Sequence, residues 1–143
     1  MRWVVDASVA AKWLVPEPDS ALAEDFLDDE LIAPDLFYAE VGNILWKKQS
    51  RGEIAPAAAR LGVRWLLQVP LQIHDTASLL VDGFALSMQL QHSAYDCIYL
   101  ALAQRIDVPL VTADRRFFAR CQSADTAGLG HRVRLLSDDS DAA

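Results

Sequence analysis

The stretch "RWVVDASVAA" (residues 2–11) decides how the rest of the chain is read. A strand-like run through Trp3, Val4 and Val5 ends on Asp6, and a helix-forming segment begins almost at once. The Ser8 hydroxyl follows two residues later. Asp and Ser both favour helix N-caps, so capping is one reading. A carboxylate held at the end of an apolar strand for binding a ligand is the other.

The same alternation runs to the end of the chain. "SVAAKWL" (8–14) reads as a short helix stopped near Pro16, and "DSALAEDFLDD" (19–29) spaces Leu22, Phe26 and Leu27 at helical intervals. "LIAP" (31–34) is a second strand, followed by a longer helix over 35–50 that ends before Gly52. Pro56 opens another helix over 55–69. "LQIHD" (71–75) is a third strand and 77–91 a helix. Ser93 caps a further helix over 93–105, "VPLVTAD" (108–114) is a fourth strand, "RRFFARC" (115–121) a short helix and "HRVRLLS" (131–137) a last strand.

Short apolar strands separated by helices indicate parallel pairing, because parallel strands need crossover connections. The expected class is therefore α/β with a central parallel sheet. Such sheets place ligands at the carboxyl ends of their strands. Asp6 and Asp114 both end strands and are expected at that one edge.

Composition bounds the function. At 143 residues and 52% hydrophobic the chain is read as one globular domain over 1–137, with an acidic, disordered tail over 138–143. "MRWVVD" provides no apolar leader and no run is long enough to span a membrane, so a cytoplasmic protein is expected. The net charge of −7, or −4 without the three acids of the tail, argues against indiscriminate nucleic-acid binding but leaves room for a local basic surface. Cys97 and Cys121 lack metal-type spacing and read as small buried hydrophobes. His74, His92 and His131 are scattered, without the clustering a zinc site needs.

Two acids lie where acids are not expected. Glu40 belongs to the apolar stripe of Phe37, Val41, Ile44 and Leu45, unless it reaches solvent at the stripe's edge. In "AYDCIYLALA" (94–103) Asp96 is the sole charge on a helix that reads as apolar all round. Buried carboxylates need partners, and neither stripe supplies Arg or Lys. His92, four residues before Asp96, is a local alternative, and Asp114 before "RRFFAR" is also a good N-cap. If Asp6, Glu40, Asp96 and Asp114 converge, each pair about 5 Å apart at an effective dielectric of about 20 repels by roughly 3 kcal/mol. Something positive must compensate, and oxygen ligands suit a hard cation such as Mg²⁺ or Mn²⁺. Ser8 and Thr112 would flank Asp6 with hydroxyls that orient ligands or water.

At this point the chain resembles the PIN-domain family, in particular the toxin ribonucleases of VapBC toxin–antitoxin pairs. The resemblance rests on "VVDASV" around Asp6, "APDLFYAEVGNIL" around Glu40, "SAYDCIYLALA" around Asp96 and "LVTADRRFF" around Asp114, in the family's order. It implies a three-layer α/β/α sandwich and an Mg²⁺- or Mn²⁺-dependent endoribonuclease, usually a homodimer, held inactive by a cognate VapB-type antitoxin. It carries Asp6, Glu40 and Asp96 over as the acidic core, with Asp114 as fourth acid. Some members have a further acid shortly afterwards, where Phe117 and Phe118 stand here.

Within that reading Asp6 and Asp96 are the expected direct ligands. Glu40 and Asp114 would hold a second ion or metal-bound waters, or act as general base. Arg115 and Arg116 would grip RNA beside the site, with Lys12, Lys47, Lys48 and Arg51 as further phosphate contacts. An antitoxin segment is expected in an apolar groove near Trp13, Phe37, Tyr38 and Trp46, with a basic side chain among the acids. A dehalogenase-type phosphatase would need a second Asp where Ser8 stands, and a receiver domain would not bury acids in mid-helix. The remaining alternative is a non-catalytic PIN-like RNA-binding or scaffolding module, a type that typically loses one or more of the four acids.

Overall fold

The structure, a computed structural model, describes residues 1–123 and 128–137. The tail expected over 138–143 lies outside the described residues. Five strands form: β1 (Arg2–Val5), β2 (Glu30–Pro34), β3 (Gln72–His74), β4 (Leu110–Thr112) and β5 (Val133–Leu135). Trp3, Val4 and Val5 are all buried, and a strand buried on both faces belongs in the middle of a helix-covered parallel sheet. β1 lies there, in a sheet of order β3-β2-β1-β4-β5 whose pairings are all parallel.

The connections supply seven helices: α1 (Ala7–Leu14), α2 (Ser20–Asp25), α3 (Leu36–Ser50), α4 (Pro56–Leu66), α5 (Leu80–Leu90), α6 (Ala94–Ile106) and α7 (Arg115–Gln122). From β1 the chain steps outward to β2 and β3, then returns across the sheet to β4 and β5. Right-handed crossovers therefore put α1–α4 on one face and α5–α7 on the other. The packing agrees: α1 lies against α2, α3 and α4, whereas α6 packs on α5 and on β1, β2 and β4. The expected three-layer α/β/α sandwich is the observed architecture. Strand direction of travel reverses between β1 and β4, the place where open α/β sheets present their ligand crevice.

Two expected helices are broken. The segment over 19–29 leaves the α conformation after Asp25 and closes as a 3₁₀ turn, Phe26–Asp28, because the Phe26 N–H is shared between Ala23 and Glu24 and Asp29 N then bonds Phe26 O. The segment over 77–91 begins as a 3₁₀ turn, Ala77–Leu79, which drives Leu79 fully into the core before α5 starts. The helix that read as apolar all round is buried from Cys97 to Ala103 but exposes Tyr95 and Gln104 at its ends. Cys97 and Cys121 are buried and free, and burial pushes both thiols up to about 12, which leaves them inert at neutral pH.

α5 and α6 approach closely at Gly83. A Cβ there would lie 2.8 Å from Ile98 Cγ1 and 3.2 Å from Ile98 Cα, so the neighbour that must move is partly backbone. Gly83→Val is expected to destabilise the fold by about 1–3 kcal/mol, measured as a lower urea midpoint with an unchanged slope.

Candidate metal centre

The first strand delivers Asp6 to the carboxyl edge, where its N–H bonds Val111 O of the neighbouring strand at 3.0 Å. Asp6 occupies the N-cap position of α1, yet its side chain makes no capping bond. Its Oδ2 instead accepts from Ser8 Oγ at 2.6 Å and from Thr112 Oγ1 at 2.9 Å. The same two hydroxyls accept from Ala113 N and Asp114 N, at 3.0 and 3.1 Å, so they tie the start of α1 to the end of β4. Asp6 is only 3% exposed, and burial pushes its carboxyl up to about 6. The charge of Asp96 adds to that rise, the two hydroxyls oppose it, and Asp114 adds a little more.

Asp114 does cap its helix. Its Oδ1 accepts from Arg116 N and Phe117 N at 3.0 and 3.1 Å. Asp96, in the first turn of α6, has His92 Nε2 2.6 Å from its Oδ2, so the local pairing is also present. Burial raises the Asp96 carboxyl, the His92 hydrogen bond and charge pull it back, and Asp114 raises it further. One ligand atom from each of His92, Asp96 and Asp114 lies within 4.8 Å of the others, a spacing fit for one cation. These local roles therefore coexist with a shared site.

Glu40 comes from the second turn of α3. Its carboxyl is pushed up to about 7, chiefly by burial and also by Asp6 and Asp96, while the Tyr99 hydroxyl acts the other way. Neither Glu40 Oε1 nor the Tyr99 hydroxyl has a partner at hydrogen-bonding geometry among the described residues. A buried carboxylate oxygen without a partner, beside two further acids, is what a missing cation would satisfy. The donor set is oxygen-rich with one imidazole, which fits a hard divalent ion such as Mg²⁺ or Mn²⁺.

The basic residues divide. Lys12 does not face the site: its Nζ is 2.6 Å from Glu17 and 2.9 Å from Asp19, because the loop after α1 folds two acids back onto it. Lys48 is likewise held by Glu17 at 2.7 Å. Arg115 and Arg116 are exposed at the start of α7 and in no ion pair among the described residues, and Lys47 shares a groove with Glu40, Asn43 and Tyr95. Of the four aromatics expected in a docking groove, Phe37 is fully buried and stacks edge-on with Tyr38, and Trp13 donates to Ala23 O in the α1–α2 layer. Trp46 alone of the four is largely exposed, at 61%. The sequence reading missed Tyr99, whose signal was its place three residues after Asp96 on one helix face.

Fold and site together define a parallel-sheet α/β protein with an acidic, oxygen-donor centre at its carboxyl edge. The chain belongs to the PIN-domain family, whose model matches residues 3–122. It is 39% identical over 120 residues to Ribonuclease VapC3 of Pyrobaculum aerophilum, covering 81% of this chain and 92% of the relative. Among solved structures it is similar to PAE2754 from Pyrobaculum aerophilum, with a TM-score of 0.66, 23% identity, and 85% and 81% of the two chains covered. It is also similar to a chain of a toxin–antitoxin complex from Klebsiella pneumoniae, with a TM-score of 0.62, 15% identity, and 95% and 98% covered.

Proposed function

We propose that the protein is a divalent-metal-dependent endoribonuclease, the toxin of a toxin–antitoxin pair, and that Asp6, Glu40, Asp96 and Asp114 form its centre. The observation that carries this reading is the gathering of those acids around a buried, unpartnered Glu40 oxygen. The relative named Ribonuclease VapC3 supports the RNA substrate. A Mg²⁺ or Mn²⁺ ion bound by these carboxylates would supply Lewis-acid chemistry on the phosphodiester and on water.

The chain's own residues do the positioning. Ser8 and Thr112 hold Asp6 by one oxygen and so fix the direction of the other. His92 does the same for Asp96. Glu40, with a carboxyl that titrates near 7, is matched to accept a proton from an attacking water at neutral pH. Arg115, Arg116 and Lys47 ring the acids with positive charge that draws in the RNA backbone. Lys12 plays no part in that contact.

A water nucleophile leaves the ribose 2′-hydroxyl unused, so the products carry 5′-phosphate and 3′-hydroxyl ends. Ligation-based end mapping of a digest checks this, and 2′,3′-cyclic phosphates would contradict it.

Two apolar surfaces support the partners. On α5, Leu80, Val81, Phe84 and Met88 form one exposed face, with Val81 81% exposed, and this face is the homodimer contact. Trp46 and Val63 line a groove between α3 and α4 that takes an antitoxin segment, in keeping with the fold's similarity to a chain from a toxin–antitoxin complex. No helix among the described residues is long and apolar enough to cross a membrane, and the RNA substrate places the activity in the cytoplasm.

A further inference from the structure

Next to the acid centre lies a cavity of about 500 Å³ lined by Ser87, Gln91, His92, Ser93, Arg116 and Arg120. It contains no carboxylate and no large apolar side chain, in a protein whose net charge is −7. We infer that this pocket seats the RNA phosphate adjacent to the one being cut. The inference rests on the ribonuclease reading and adds to it a binding position with named residues.

Three elements build the pocket. α5 ends on Gln91, whose left-handed backbone (φ 51°) turns the chain, and His92 N bonds back to Ser87 O at 3.2 Å. Ser93 then caps α6, accepting from Tyr95 N at 3.1 Å. The third wall is α7, where Arg116 and Arg120 stand four residues apart and hence on one helix face.

His92 is the wall shared by the two sites. Its Nε2 meets Asp96 at 2.6 Å, and its ring lies against Phe117 with centroids 5.0 Å apart. A chain threading past His92 thus passes from carboxylates to guanidinium groups in one step. The charge pattern suits a polyanion with a cation at the cut. The scissile phosphate needs the ion that the acids hold, and the next phosphate, out of that ion's reach, needs positive side chains. Other cations nearer the core are already committed, Lys12 to Glu17 and Asp19, and Arg105 to Asp82. Guanidinium forks match phosphate oxygens two at a time. The volume exceeds what one phosphate fills, leaving room for its ribose beside the Ser87 and Ser93 hydroxyls.

The test is steady-state cleavage of a short single-stranded RNA by wild type, Arg120→Ala and Arg120→Gln, with Mn²⁺ present and melting temperatures compared. Both variants are expected to raise KM about tenfold with little change in kcat, and to flatten the salt dependence of log(kcat/KM) by about one unit. Substrates carrying one neutral methylphosphonate on either side of the cut complete the cycle. At one of these positions wild type loses the same factor and Arg120→Ala loses nothing more. Normal cleavage with KM and salt slope unchanged in both variants overturns the subsite and leaves the ribonuclease reading standing. The same result with weakened binding of a protein partner assigns the pocket to that partner, which also overturns it. No cleavage of any RNA by wild type overturns both.

Discussion

Asp96→Asn is expected to lower metal-dependent RNA cleavage by roughly two to three orders of magnitude while the fold survives. The amide keeps the size of the carboxylate and an oxygen for the His92 hydrogen bond, now 2.6 Å long. What it removes is the negative charge that faces Asp6 and Asp114. That charge is a cost to the metal-free protein and a ligand in the loaded one. The variant should therefore melt higher than wild type in EDTA and gain less from added Mn²⁺. Cleavage assays paired with the two melting curves check both halves. Near-normal cleavage would remove Asp96 from the centre.

The second large effect is on stability against pH. Asp6 titrates at about 6 and Glu40 at about 7 in the folded, metal-free protein, against 3.8 and 4.5 in the open chain. Their folded values are raised, so between pH 4 and 7 the folded state holds more protons than the unfolded state. Stability therefore falls as pH rises through that window. For fully buried Asp6 the loss is about 3 kcal/mol, a large share of the 5–15 kcal/mol typical of a domain. In EDTA the melting temperature should drop between pH 5 and pH 8, and millimolar Mn²⁺ or Mg²⁺ should restore it at pH 8. Asp6→Asn should flatten the metal-free curve. A melting temperature that holds steady in EDTA across the range would show that the acids are not crowded as the geometry requires.

The two effects share a cause. Carboxylates buried together are stable only when protonated or paired with a cation, so the site trades stability of the empty protein for affinity at neutral pH. The hydroxyls of Ser8 and Thr112 lessen the cost at Asp6 without neutralising it.

Much of this was legible in the chain itself. The alternation of short apolar strands with helices settles a parallel sheet, because a backbone with period-two burial on both faces and crossover-length connections has few other ways to pair. The edge occupied by Asp6 and Asp114 follows, since both residues end strands that run the same way. The odd placement of Glu40 and Asp96 on apolar helices marked them as partners of something, and "VVDASV", "AEVGNIL", "AYDCIYLALA" and "LVTADRRFF" carried the family resemblance. Local spacing also exposed the His92–Asp96 pair and the Asp114 cap, because both are contacts within one turn or two of helix.

What spacing could not decide was every contact made across elements. Whether Asp6 caps α1 or turns to two hydroxyls depends on Thr112, 106 residues away. Lys12 read as a free cation until the following loop brought Glu17 and Asp19 to it, and Phe37 read as a groove residue until the sheet buried it. Tyr99 and the pocket of Arg116, Arg120 and Ser93 arise only where helices distant in sequence meet. A one-dimensional pattern records which face a side chain takes on its own helix or strand. Only the tertiary packing says which other face it meets, and charge, burial and pKa all depend on that second fact.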